Sequence, residues 1–404
     1  MKNSKLMAFT SALALISGAA LADDKVVKIG VLSDMSSLYS DIGGPNAVLA
    51  TQMAVEDSGL KAKGWTIEIV SADHQNKPDV GTAVARQWLD VDHVDMINDL
   101  PSSGVALAVS AVVREKNAVF LNSGSATSEL TNKQCSPNTI HWTYDTYMLA
   151  TGTGKAVTKA GGDSWYFITA DYAFGKQLEA DTSAVITANG GKVLGAARAP
   201  LNTADFSSFL LQAQASKAKI VGLANAGADT VNSIKQAHEF GIVSGGQQLA
   251  ALLLFLTDVH ALGLEVAQGL TFTSSFYWDM NDSTRAWAKK YQERSKGHSM
   301  PAMTHAGDYS ATLHYLKALE ALGGNPHDGA KVVAKMKEMP TDDPLFGKGT
   351  VRIDGRKMHP VYLVQAKKPS ESKGEWDLYN ILATIPAEDA FRPLDKSDCP
   401  LVKK

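Results

Sequence analysis

Little in this chain points to a reactive centre. It has two cysteines in 404 residues, Cys135 and Cys399, and two thiols make no zinc site, because a structural site takes four ligands. No G-x-G-x-x-G follows the first apolar strand candidate; Gly43-Gly44 is an isolated turn pair. There is no Walker loop, no G-x-S-x-G elbow and no H-E-x-x-H, so no motif of nucleotide, hydrolase or zinc-protease chemistry is present. The ten histidines are scattered. Only His305 falls at a loop-to-helix junction, where capping or packing is the commoner role. Members of a Ser/His/Asp triad need not be neighbours, so sequence leaves one open, but nothing specifies it. The formal charge is −3 and no dense Lys/Arg stripe appears, which argues against a nucleic-acid binder. Past the first two dozen residues no long charge-free apolar run occurs, so no further membrane span is expected.

The beginning of the chain is what stands out. Lys2 and Lys5 precede an apolar run from Leu6 through Leu21, which closes on Ala20-Leu21-Ala22 before Asp23-Asp24. A basic start, a short apolar stretch and a small-x-small site make residues 1–22 a cleaved export signal. No cysteine sits at the cleavage site, so a lipid anchor is not expected. Export, in a bacterium to the periplasm, leaves about 380 residues, or two to three domain lengths. In an oxidising compartment Cys135 and Cys399 most simply pair, with two free thiols as the alternative.

Strand and helix patterns then alternate. Residues 26–32, 65–71, 94–100 and 118–123 read as strands, with helices over 46–57, 79–90 and 105–116 between them. The order repeats with strands at 165–169, 192–197, 220–224 and 248–254 and helices at 175–189, 206–216 and 230–240. Such alternation predicts right-handed crossovers and parallel sheets, hence two α/β lobes. Further helices are predicted over 283–296, 306–322 and 330–339, a strand over 269–274, and a terminal hairpin from 349–353 and 360–366.

In open α/β sheets ligands bind outside the carboxyl ends of the strands. Two loops at such ends are rich in small hydroxyl residues: Pro101-Ser102-Ser103-Gly104 and Asn122-Ser123-Gly124-Ser125-Ala126-Thr127-Ser128. Both expose backbone N–H groups near a helix start, a nest suited to one carboxylate without Lys or Arg. Ordinary helix capping explains either loop alone; two adjacent loops favour a site.

These residues resemble the periplasmic solute-binding proteins of branched-chain-amino-acid-type ABC transporters, the type I binding-protein fold. The likeness runs through VKIGVLSDMSS at 27–37, Pro101-Ser102-Ser103, GSATSELT at 124–131, DYAFGK at 171–176, and 307–319. It implies two Rossmann-like lobes with parallel sheets joined by a three-stranded hinge. Residues 23–146 and 276–348 would form lobe 1, 147–275 and 349–391 lobe 2, and 392–404 a tail tied back to lobe 1. It implies hinge closure on a small carboxylate, a membrane permease as partner, no cofactor, no metal, no catalysis and a monomeric chain. Ser102, Ser103, Ser125, Ala126 and Thr127 would grip the carboxylate, and Phe174 would close over the ligand.

Where amino-acid binders carry an acid for the ligand's ammonium, this chain has Ala250-Ala251-Leu252-Leu253-Leu254-Phe255-Leu256, with no acid before Asp258. An ammonium desolvated without a partner is costly. GSATSELT, Trp142-Thr143-Tyr144-Asp145, the two cysteines and Phe276-Tyr277-Trp278-Asp279 are similar to the subgroup that binds aromatic acids of the benzoate, phenylacetate or cinnamate type. Tyr39, Tyr144, Phe174, Phe255, Phe276 and Trp278 would then wall the ring. Asp308 is the acid able to restore a partner for an amine or phenol. An aliphatic amino-acid binder and the sensing domain of a receptor are the alternative readings.

Overall fold

Buried apolar strands pair in parallel because the helices between them return the chain to the same sheet edge. The computed structural model describes residues 25–403; the expected export signal, 1–22, lies outside the described residues. The first sheet holds β1 (Val26–Ser33), β2 (Thr66–Asp73), β3 (Met96–Asp99), β4 (Val119–Asn122) and β5 (Thr139–His141) in the order β2-β1-β3-β4-β5. All its pairings are parallel. The second holds β6 (Ser164–Ala170), β7 (Lys192–Ala199), β8 (Ile220–Ala224) and β9 (Gln248–Ala251) in the order β7-β6-β8-β9, also parallel. β3, β4 and β8 are buried along their whole length, as expected of strands covered on both faces. The chain is therefore α/β with two lobes.

The strand order reverses between β1 and β3 in one lobe and between β6 and β8 in the other. Each reversal opens a crevice at the carboxyl ends of the strands, where adjacent crossovers leave to opposite faces. A third sheet, antiparallel, joins β10 (Thr271–Ser274), β14 (Val361–Ala366) and β15 (Tyr379–Ile385).

The expected terminal hairpin is not formed. Gly347–Val351 (β12) pairs with β11 (Thr341–Asp343) and β13 (Lys357–Met358), while Val361–Ala366 joins the third sheet. Arg356, just before β13, bridges to His141 at the end of β5. The reason lies in packing: buried Arg356 reaches Asp145 at 3.2 Å and lies over the Phe391 ring, which ties the segment to the first lobe's edge.

Cys135 and Cys399 are bonded, with Cα atoms 5.6 Å apart. The tail they hold also lies against the first lobe. The Ser397 hydroxyl donates to the Thr131 carbonyl, and the Asp398 N–H donates to Asn132. Among the described residues no helix is long and apolar enough to cross a membrane.

Candidate ligand-binding site

The two strand-order reversals face each other. From the first lobe the loop after β1 brings Tyr39 and Ile42, the loop after β3 brings Pro101, and the loop after β4 brings Ala126. From the second, the turn after β6 brings Tyr172 and Phe174, the loop after β8 brings Ala226, and the loop after β9 brings Leu253. With Tyr144, which follows β5, these residues line one interior cavity. It is narrow, about 10 Å³, room for about one water. The lobes touch across it. The hydroxyls of Tyr39 and Tyr172 are hydrogen-bonded at 2.5 Å, and Gly227 lies against the Leu38 carbonyl with a φ of 58° that disfavours any side chain. A ligand enters only if the lobes part. A roomier depression of about 300 Å³ lies among Asp95, Lys116, Asn117 and His327. It sits at the amino ends of β3 and β4, the wrong end of the sheet for this fold.

The first lobe's loops are held by local chemistry. Asp99 and Leu100 end β3 with φ of 78° and 59°, an unfavourable conformation for residues with side chains. This turn brings Pro101 to the cavity. Ser102 is the buried N-cap of the helix Ser103–Glu115, and its side chain makes no capping hydrogen bond. The Thr127 N–H donates to the Ser103 hydroxyl at 3.2 Å, which locks the two loops together. Asn122 closes its loop by accepting from the Ser125 N–H and hydroxyl and donating to the Ser125 carbonyl. The Tyr144 hydroxyl donates to the Gly124 carbonyl at 2.6 Å. Phe255 meets the Tyr144 ring edge-on, centroids 5.8 Å apart.

Of the residues expected at a site, Tyr39, Ala126, Tyr144 and Phe174 share the cavity lining. Ser102, Ser103, Ser125 and Thr127 lie in the loops beside it, and Phe255 backs Tyr144. Ser125 and Thr127 have internal duties as well: Ser125 bonds Asn122, and the Thr127 hydroxyl accepts from the Glu129 N–H.

Two expected ring walls lie elsewhere. Phe276 packs on Trp287 and Phe346, and the Trp278 indole donates to the Trp376 carbonyl in a separate surface depression. β10 ends at Ser274 in the third sheet, so the chain leaves towards the helix Asp282–Arg294 rather than towards the cleft. Asp308 is fully buried within the helix Met303–Leu322 and is not part of the lining. Tyr172, Ile42, Pro101, Ala226 and Leu253 were not anticipated. Tyr172, Pro101 and Leu253 stood inside segments already noted, whereas Ile42 and Ala226 carry no chemical signal.

No charged residue lines the cavity. Asp258 turns back to accept from the Phe255 N–H, and burial pushes its carboxyl up to about 7. Asp229 is buried behind the loop after β8 and accepts from the Asn202 N–H; burial raises it to about 6. Among the described residues no cluster of His, Cys, Asp and Glu is suited to a metal ion.

A family model described as periplasmic binding protein matches residues 26–375. A crystallised periplasmic binding protein from Burkholderia mallei is 51% identical with a TM-score of 0.90, covering 94% of this chain and 100% of that one. A branched-chain amino acid ABC transporter ligand-binding protein from Burkholderia xenovorans is 41% identical with a TM-score of 0.82, covering 93% and 100%. The Leu/Ile/Val-binding protein homolog 6 of Brucella melitensis is 28% identical over 88% of this chain and 91% of its own length. Solute-binding proteins from Rhodopseudomonas palustris in complex with benzoate and with 4-hydroxybenzoate, 20% and 23% identical, share the fold. This chain belongs to the periplasmic binding protein family, whose members bind solutes rather than transform them.

Proposed function

We propose that this member of the family is the exported, periplasmic solute-capturing component of an ABC importer. It takes a small carboxylate, with an aromatic acid of the benzoate, phenylacetate or cinnamate type as first candidate, and presents it to a membrane permease. One observation carries the ligand class: four aromatic side chains, Tyr39, Tyr144, Tyr172 and Phe174, converge on a cavity whose lining holds no carboxylate. An amino acid would bury its ammonium there without a partner, which is costly. A ring finds flat walls, and its carboxylate finds neutral donors at the Ser102 helix start. Opening and closing of the lobes would admit and trap the ligand, the closed form being favoured by its contacts to the second lobe.

A second reading, an aliphatic amino-acid binder, is favoured by the Brucella and Burkholderia xenovorans relatives, described as binding branched-chain amino acids, and by Asp229. That carboxylate, at the start of the helix Ala228–Glu239, interacts electrostatically with both Tyr39 and Tyr172.

A thermal-shift screen separates the two. Benzoate, phenylacetate or a cinnamate is expected to raise the melting temperature while leucine and valine do not. Ligand at 100 times its Kd stabilises by about 2.7 kcal/mol. Stabilisation by leucine or valine with no effect of the aromatic acids would overturn the aromatic reading.

A further inference from the structure

Beneath the Pro101 and Ala126 loops lies a cluster of buried polar side chains that ligand capture does not explain. Asp99, at the end of β3, and Asp308, in the middle of the helix Met303–Leu322, are both fully buried and interact electrostatically. The Ser33 hydroxyl donates to Asp99 Oδ2 at 2.5 Å, and the Gly44 N–H donates to Ser33 in turn. Asp99 Oδ1 and both oxygens of Asp308 lack a well-formed hydrogen bond, as do the Ser123 hydroxyl and His305 Nε2. Ser123 is the donor that faces Asp308. Gly43 and Gly124 are closed in on Asp99 so tightly that a methyl at either would collide with its carboxylate.

The other titratable groups facing the pair are Asp34, Tyr144, Tyr291 and His305. None supplies a positive charge: burial holds His305 down to about 4. Two neighbouring carboxylates buried without a cation cannot both be ionised at modest cost.

We propose that Asp99 and Asp308 hold at least one proton between them, and that this protonated pair positions the two loops that face the ligand. The link to the loops is covalent and short. Asp99 lies two residues before Pro101, its carbonyl accepts from the Gly124 N–H, and Ser123 adjoins Gly124. The inference stands whichever solute the cleft takes.

Burial raises both acids: Asp99 to about 7, with the Asp34 carboxylate adding to the shift, and Asp308 further, with the Asp99 carboxylate adding to it. An acid with a higher pKa in the fold than in the unfolded chain binds more protons when folded. Its contribution to stability therefore falls as pH rises from near 3.8, and it stops falling above the folded value. Each such group changes the folding constant by up to about tenfold per pH unit within that window.

The test is amide hydrogen exchange of ligand-free protein between pH 6 and pH 9, corrected for the intrinsic rate, in wild type and in Asp308→Asn. Asparagine keeps the shape and a donor, and stands in for the protonated acid. Wild type is expected to lose protection in residues 99–103 and 122–127 by tenfold or more as pH rises, while Asp308→Asn keeps it. Wild-type protection that does not change with pH, or an equal loss in Asp308→Asn, would overturn the proposal. Should that variant not fold, Asp99→Asn is measured in the same way, with the same two outcomes.

Discussion

The two faces of the cleft are apolar alike but are backed by different materials. Behind the first lobe's lining of Tyr39, Ile42, Pro101, Ala126 and Tyr144 lies a polar network: Ser102, Ser103, Asn122, Ser125 and Thr127 are buried, and all but Ser102 are tied to neighbouring groups. The second lobe's face is Tyr172, Phe174, Ala226 and Leu253, set by packing rather than by hydrogen bonds. A hydroxyl loop must be fixed before it can receive a carboxylate, because an unpaired buried donor is costly. An aromatic wall needs no such preparation, since ring contacts are broad and tolerant. Under the proposed function, the first lobe would orient the ligand while the second lobe selects its shape and rewards closure.

The strongest way to test that asymmetry is to loosen the first lobe. Its tail is braced by the Cys135–Cys399 bond across a sequence separation of 264 residues. In the chain-entropy account such a loop contributes on the order of 5 kcal/mol. Cys399→Ser, or reduction by dithiothreitol, is expected to lower the melting temperature and denaturant midpoint substantially. An unchanged midpoint would mean that the tail braces nothing.

A smaller effect is expected at the proposed carboxylate grip. Ser102→Ala should weaken binding of the ligand found by thermal shift by about 1.5–3 kcal/mol, the range for a hydrogen bond to a charged group. The unliganded melting temperature should hardly move, because the side chain makes no capping bond. Calorimetry that finds full affinity in this variant would shift the grip to backbone donors. The mildest change is on the other face. Phe174→Leu keeps an apolar wall but removes a ring, and should cost an aromatic acid about 0.5–1.5 kcal/mol. An equal loss for an aliphatic carboxylate would show that Phe174 acts through packing alone.

Most of the fold was legible in the sequence because buried strands and amphipathic helices leave periodic signals. Val26–Ser33, Ile220–Ala224 and Ala173–Ala188 lie within a few residues of their predicted spans. The failures share a cause. The segments 347–351 and 361–366 have adjacent strand patterns, yet they pair with different partners, and pairing is a long-range choice. Phe276 and Trp278 looked like ring walls because aromatic residues suit both cores and clefts. Where the chain turns after β10 decided between the two.

What the sequence determined by itself is the class: two α/β lobes, hydroxyl loops at the carboxyl ends of β3 and β4, and an apolar stretch at 250–256. Each follows from local composition and spacing, since helices and strands form on patterns of a few residues. Only the tertiary structure decided which rings meet, that Tyr39 of one lobe touches Tyr172 of the other, and that Asp99 and Asp308 share a pocket although 209 positions separate them. Those outcomes depend on how two sheets and their helices pack, and packing brings distant residues together by shape and burial, for which neighbouring sequence carries no code.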